Sequence, residues 1–152
     1  MPNTPALFGA GMTGLVASDN VSAAVRRRAE DILKSAGETV WLEEEALIDV
    51  VTAVSGSGPA YFFALAEQLA LAGERAGLPA TVAAKLAAQT AYGAGLMMTR
   101  SGEAPDRLRE QVTSPGGTTA AALAALTAGS FEQLVDEAVT AAVQRSRELG
   151  GS

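Results

Sequence analysis

Few residues in this chain can do chemistry. Its 152 residues include no histidine and no cysteine. A Ser-His-Asp triad, a histidine base, a thiolate nucleophile and a histidine- or cysteine-ligated metal are therefore excluded within it, and no metal site is expected. What remains is carboxylates, hydroxyls, backbone amides and a borrowed cofactor. The best-equipped stretch is Ser114-Pro115-Gly116-Gly117-Thr118-Thr119. Its glycines let backbone N–H groups approach a ligand without Cβ obstruction, and the helix expected behind them offers unpaired amides and partial positive charge. Such a loop suits a small anion, a carboxylate in particular. It reads equally well as an ordinary helix cap with a Pro-Gly turn.

A second stretch, Val51-Thr52-Ala53-Val54-Ser55-Gly56-Ser57-Gly58-Pro59-Ala60-Tyr61, places small polar residues where one helix should stop and another start. It reads as a tight turn between packed helices. Thr52 stands out as a lone hydroxyl in apolar surroundings. A third stretch, Gly9-Ala10-Gly11-Met12-Thr13-Gly14, fits the dinucleotide fingerprint G-x-G-x-x-G at every position. That fingerprint requires a strand before it and a helix after it. Here two prolines in the first five residues precede it, and an extended run, Leu15-Val16-Ala17, follows. The glycines are expected to enter a strand rather than to cradle a pyrophosphate.

Two kinds of element must position these residues. Residues 1–43 read as strand, helix, strand, with the helix over 21–36, Ser22 as its N-cap, Gly37 as its stop, and the second strand over 38–42. This βαβ-like unit is too small to bury its own sheet and looks like the end of a larger α/β domain. Glu43-Glu44-Glu45 marks a solvated junction. After it the pattern is helical: a short helix through Leu47 and Val51, an apolar one from Pro59 to Gly77, one from Pro79 to about Arg100, a short one from Pro105, one behind Thr118, and a last one opened by Ser130 with Gln133 in capping-box position. Gly93 and Gly95 inside the fourth imply a second backbone passing close. Two helices look too apolar for one small bundle to hide, so helices of two subunits are expected to interlock.

The totals narrow the rest. The chain is 48% hydrophobic but only 5% aromatic, which favours closely packed helices. A net charge of −6 argues against nucleic acid as a partner, and the Arg26-Arg27-Arg28 cluster reads as a solvated helix face. No apolar run near the roughly 20 residues of a membrane span is read from the sequence, and no signal peptide, so a soluble, cytoplasmic protein without membrane partners is expected.

The strings "VTAVSGSGPAYFF" and, about fifty residues on, "REQVTSPGGTTAAAL" closely resemble the C-terminal domain of pyrroline-5-carboxylate reductases, and "MPNTPALFGAGMTGLV" resembles the end of their dinucleotide-binding domain. The resemblance covers nearly the whole chain. It implies a mainly α fold: a helical dimerisation bundle like the C-terminal domain of 6-phosphogluconate dehydrogenase over 45–152, preceded over 1–44 by a Rossmann-type remnant. It implies hydride transfer from NADPH or NADH to the cyclic imine 1-pyrroline-5-carboxylate in proline synthesis. Thr52 would face the ring nitrogen as the catalytic residue. Ser114, Gly116, Gly117, Thr118 and Thr119 would hold the substrate carboxylate, and Asn3 and Thr4 would lie beside the nicotinamide. The family's pyrophosphate loop lies upstream of the segment matched here, so the chain is expected to be a truncated form, inactive alone, that forms an interlocked homodimer or a higher oligomer. The alternative is a catalytically silent oligomerisation module of a related imine or β-hydroxyacid reductase.

Overall fold

A computed structural model describes residues 1–151. It divides into two compact units: Met1–Tyr61 with the chain from Val135 onward, and Phe62–Leu134.

The first unit opens with a 3-10 turn, Thr4–Phe8, ended by Gly9 in the left-handed region (φ 68). Strand β1 follows at Gly11–Leu15, then helix α1 at Ala23–Lys34 and strand β2 at Gly37–Trp41. The strands pair in parallel, Gly11 against Gly37 through Leu15 against Trp41. The sequence reading of strand, helix, strand is borne out, with β1 earlier and α1 shorter than expected. Ser22 caps α1 by accepting from the Val25 N–H. The glycine fingerprint does enter a strand, and its glycines permit close packing. A Cβ on Gly11 would lie 2.7 Å from the Ala6 Cβ, and one on Gly14 would lie 2.7 Å from Val51 Cγ1.

Glu30 fastens α1 to β2. Its carboxylate takes the Lys34 ammonium at 2.7 Å, the Trp41 indole N–H at 3.2 Å and the Thr39 hydroxyl at 3.4 Å. The Lys34 hydrogen bond, then that of Trp41, holds the Glu30 carboxyl below its usual value. Arg26 stacks over the Trp41 ring, 5.7 Å from its centroid.

Helix α2, Leu47–Val51, does not break at Ser55-Gly56-Ser57-Gly58-Pro59. It widens into a π-turn, Thr52–Gly56, and resumes as α3, Gly58–Arg75. The stretch Leu47–Arg75 is therefore one helix of 29 residues, with a window of mean hydropathy 1.2. This corrects the expectation that no apolar run approaches a membrane-spanning length: by length and composition alone this helix could cross a bilayer. Ser-Gly-Ser-Gly-Pro is ordinary helix-stop punctuation, whereas here a π-turn carries the helix up to Gly58 and on through Pro59.

In the second unit, α3 continues to Arg75, α4 runs over Ala80–Arg100, α5 over Pro105–Gln111 and α6 over Thr118–Ala128; helix α7, Phe131–Gly150, starts there and returns to the first unit. Pro79 stands just outside α4 as its N-cap. Ser130 precedes α7, but with φ 59 rather than the extended backbone of a capping box. In the first unit, α7 is clasped to α2, Ser146 donating to Asp49 at 2.6 Å.

A core barely exists within one chain. Ala53, Ala83, Ala87 and Leu108 are its buried hydrophobic residues among those described, while Phe62, Phe63, Leu69 and Leu86 are each more than half exposed. The chain exposes 10925 Å², against roughly 7,200 Å² for a folded monomer of this size. Nothing lies within 4 Å of where a Cβ on Gly93 or Gly95 would stand.

Two expected outcomes follow. Gly14→Val forces its side chain into Val51 and should lower stability by about 1–3 kcal/mol, read from urea midpoints at fixed chain concentration. Stability should fall as pH drops through the carboxylate range. Glu30 binds its proton less readily folded than unfolded, so its contribution is present above the unfolded value and lost below it. Glu30→Gln should flatten that part of the profile.

Candidate functional site

The candidate residues fall in both units. Thr52, Asn3 and Thr4 belong to the first; Ser114, Gly116, Gly117, Thr118 and Thr119 belong to the second. Each group has its own geometry.

Thr52 begins the π-turn. Its carbonyl accepts the Ser57 N–H at 2.8 Å, the long bond that defines such a turn. Its hydroxyl donates to the Ile48 carbonyl at 2.8 Å. With the hydroxyl proton engaged there, Oγ1 offers only acceptor capacity to a ligand. Ser55 makes the matching bond to Val51 at 3.0 Å, and the Tyr61 hydroxyl donates to the carbonyl of the fully buried Ala53 at 3.1 Å. The π-turn is thus pinned on several sides, and Thr52 has a defined rotamer at its mouth.

Asn3 is held by protein at both ends of its amide. Its Nδ2 donates to the Ser55 carbonyl at 3.0 Å, and its Oδ1 accepts the Met12 N–H at 2.9 Å. Sequence reading missed this link, since nothing local in Met1-Pro2-Asn3 announces a partner 52 residues away. Thr4 is exposed at the head of the 3-10 turn.

In the second unit, Ser114 to Gly117 form a turn closed by the Gly117 N–H on the Ser114 carbonyl at 3.0 Å. Gly116 has φ 70, a left-handed conformation that glycine adopts without strain. The Ser114 hydroxyl packs against the position a Gly117 Cβ would take. Gly117 is the N-cap of α6 and supplies no side-chain cap, so the first-turn amides of α6 face outward as donors. Thr119 and Leu123 border an apolar cavity of about 310 Å³, walled also by Met97, Met98 and Val112, with Arg109 at its edge. Uncapped amides beside an apolar hollow are chemically able to receive a small carboxylic acid with a hydrocarbon body.

The residues present do not fit a dinucleotide pyrophosphate at Gly9–Gly14. The amides it would need are spent: Gly11 N–H on Ala36, Met12 N–H on Asn3 and Gly14 N–H on Met1. Among the described residues, no group of three or more His, Cys, Asp or Glu is placed to hold a metal ion.

The family model for pyrroline-5-carboxylate reductase dimerisation matches residues 45–149. A pyrroline-5-carboxylate reductase of Pseudomonas aeruginosa is 52% identical over 98% of this chain, and that of Haemophilus influenzae is 45% identical over a similar share. The chain spans about half the length of these curated relatives, 55% of each. A solved reductase of Coxiella burnetii superposes with a TM-score of 0.95 at 42% identity, over 98% of this chain and 55% of its own. One from Plasmodium falciparum with NADP bound superposes with a TM-score of 0.85 at 36% identity, over 99% of this chain and 61% of its own. With more than half of its length matched by the family model, the chain belongs to the pyrroline-5-carboxylate reductase family.

Proposed function

We propose that this chain supplies the substrate-holding, self-associating part of a reductase that turns 1-pyrroline-5-carboxylate into proline. The observation that carries the reading is the uncapped start of α6 behind Gly116-Gly117. There the amides of Thr118 and Thr119, with the hydroxyls of Ser114 and Thr119, hold the substrate carboxylate. The ring's methylenes lie against apolar wall. By resemblance to the family, Thr52 Oγ1, its proton given to Ile48, is the acceptor for the N–H of the protonated imine. That contact favours the iminium, the more electrophilic form of the substrate, and orients its carbon. Catalysis by these residues is positioning and charge stabilisation, with no side-chain acid required. A nicotinamide dinucleotide supplies the hydride, as the NADP in the Plasmodium falciparum relative suggests. By the same resemblance, Asn3 and Thr4 are the residues beside the nicotinamide.

The dimerisation match and the uncovered faces of α3 and α4 support an interlocked homodimer. A second copy would close over Gly93 and Gly95 and cover the apolar side of Leu47–Arg75, making lipid unnecessary. Such an interface should exceed about 2,000 Å². The protein then works in the cytoplasm as a soluble dimer.

Sedimentation without detergent should give a dimer at micromolar concentration; a stable folded monomer would overturn this assembly. The catalytic reading is tested by joining the chain behind the cofactor-binding portion of the Pseudomonas aeruginosa relative. Thr119→Ala removes a hydrogen bond to a charged group, worth roughly 1.5–3 kcal/mol, and should lower kcat/KM about tenfold to a hundredfold with the fold intact. A pyrroline lacking the carboxylate should be a poor substrate for the parent and indifferent to that change. Equal losses toward both compounds would return this loop to a plain helix cap.

A further inference from the structure

We propose that Asn3 is a positioning residue that ties the π-turn carrying Thr52 to strand β1, by supplying the hydrogen bond that Pro59 takes away from the Ser55 carbonyl. The functional half of this inference rests on the reading of Thr52 above.

In a regular helix the Ser55 carbonyl would accept from the N–H of residue 59. Residue 59 is proline, which has no N–H and whose ring crowds the carbonyl four residues back. The helix answers by widening into the π-turn Thr52–Gly56. Ser57 N–H reaches back to Thr52, and Ala60 N–H closes on Ser57 at 2.9 Å. These bonds leave the half-buried Ser55 carbonyl pointing out of the ladder, and an unpaired buried carbonyl is costly. The Asn3 Nδ2 meets it at 3.0 Å.

The other end of the same planar amide accepts the Met12 N–H of β1 at 2.9 Å. These two partners fix the amide's orientation, since an N–H must face oxygen and a carbonyl must face NH₂. Asn3 also precedes the 3-10 turn, where an asparagine side chain would ordinarily cap; it makes no such cap. Both hydrogen bonds that its side-chain amide makes join strand to turn. Aspartate could keep the Met12 bond but has no donor for Ser55, and alanine or serine spans neither gap. Position 3 thus sets where the turn, and with it the Thr52 hydroxyl, stands relative to the strand.

The latch is tested first in the 152-residue chain by a double-mutant cycle of Asn3→Ala and Pro59→Ala, followed by urea unfolding and by hydrogen exchange at Met12. Asn3→Ala should lower the midpoint and speed Met12 exchange on the order of tenfold. Pro59→Ala returns an N–H to residue 59, so the midpoint loss from Asn3→Ala should shrink in that background. Strict additivity would overturn the latch. Asn3→Asp should protect Met12 yet still lose midpoint; full retention of the midpoint would also overturn it. The role in turnover is read in the chain joined to the relative's cofactor-binding portion. Asn3→Ala should lower kcat about tenfold with KM little changed. Pro59→Ala should restore stability to it but not kcat, because an α-turn no longer presents Thr52. Recovery of kcat together with stability would reduce Asn3 to a structural residue. If Thr52→Ala kept full kcat while the cycle stayed non-additive, the Thr52 reading would fall and the latch would stand.

Discussion

The helical part of this chain cannot bury its own apolar surface, and most of the structure follows from that constraint. Helices α3 and α4 carry Phe62, Phe63, Leu69, Val82 and Leu86 on faces that one chain leaves largely open. At roughly 25 cal/mol per Å², apolar faces left in water forgo burial energy on which the modest net stability of a domain depends. Small residues on these helices fit the same constraint. Ala83 and Ala87 are buried on α4, and a Cβ on Gly73 of α3 would stand 3.3 Å from the Ala83 Cβ. Gly93 and Gly95 leave open troughs where another backbone can lie. These open faces agree with the dimerisation family that the chain matches.

Leu47–Arg75 stays one helix although Pro59 stands within it. Proline within it removes a hydrogen bond, and the π-turn takes up the defect over five residues. That defect is useful. A π-turn releases carbonyls from the ladder and turns side chains off their regular spacing, which lets Thr52 stand at its mouth with a fixed rotamer. Two carbonyls of the turn take side-chain donors from outside it: Ala53 the Tyr61 hydroxyl and Ser55 the Asn3 amide.

The βαβ order, the Ser22 cap, the refusal of the glycine fingerprint to form a phosphate loop, and the succession of helices were all legible in the sequence. They rest on local chemistry: alternation, helical periodicity, capping residues and the wrong context for a turn. What escaped was long-range. The π-turn looked like a break because Ser-Gly-Ser-Gly-Pro is local punctuation in most chains, and its rescue comes from a side chain far away in sequence. Ser130 looked like a capping serine because spacing alone cannot reveal a left-handed φ. Thr52 was legible as a lone hydroxyl. That its hydroxyl donates to Ile48, leaving Oγ1 only acceptor capacity, was not. For the Ser114–Thr119 loop the glycine pattern already implied free amides; the apolar hollow beside Thr119 comes from α4 and α5, which no reading of the loop could supply.

The glycine fingerprint shows why a motif must be judged by what its backbone is free to do. A phosphate loop binds because its N–H groups have no intramolecular partner. In Gly9–Gly14 they do: one amide completes the pairing beside β2, one is held by Asn3, and one by the Met1 carbonyl. The glycines are needed here for a different reason, the approach of Ala6 on one side and Val51 on the other. That approach brings β1 against the helix that becomes the π-turn. Gly14 sets how close the two can come, and Asn3 joins them just beyond, so the decoy motif and the latch are parts of one junction between strand and site.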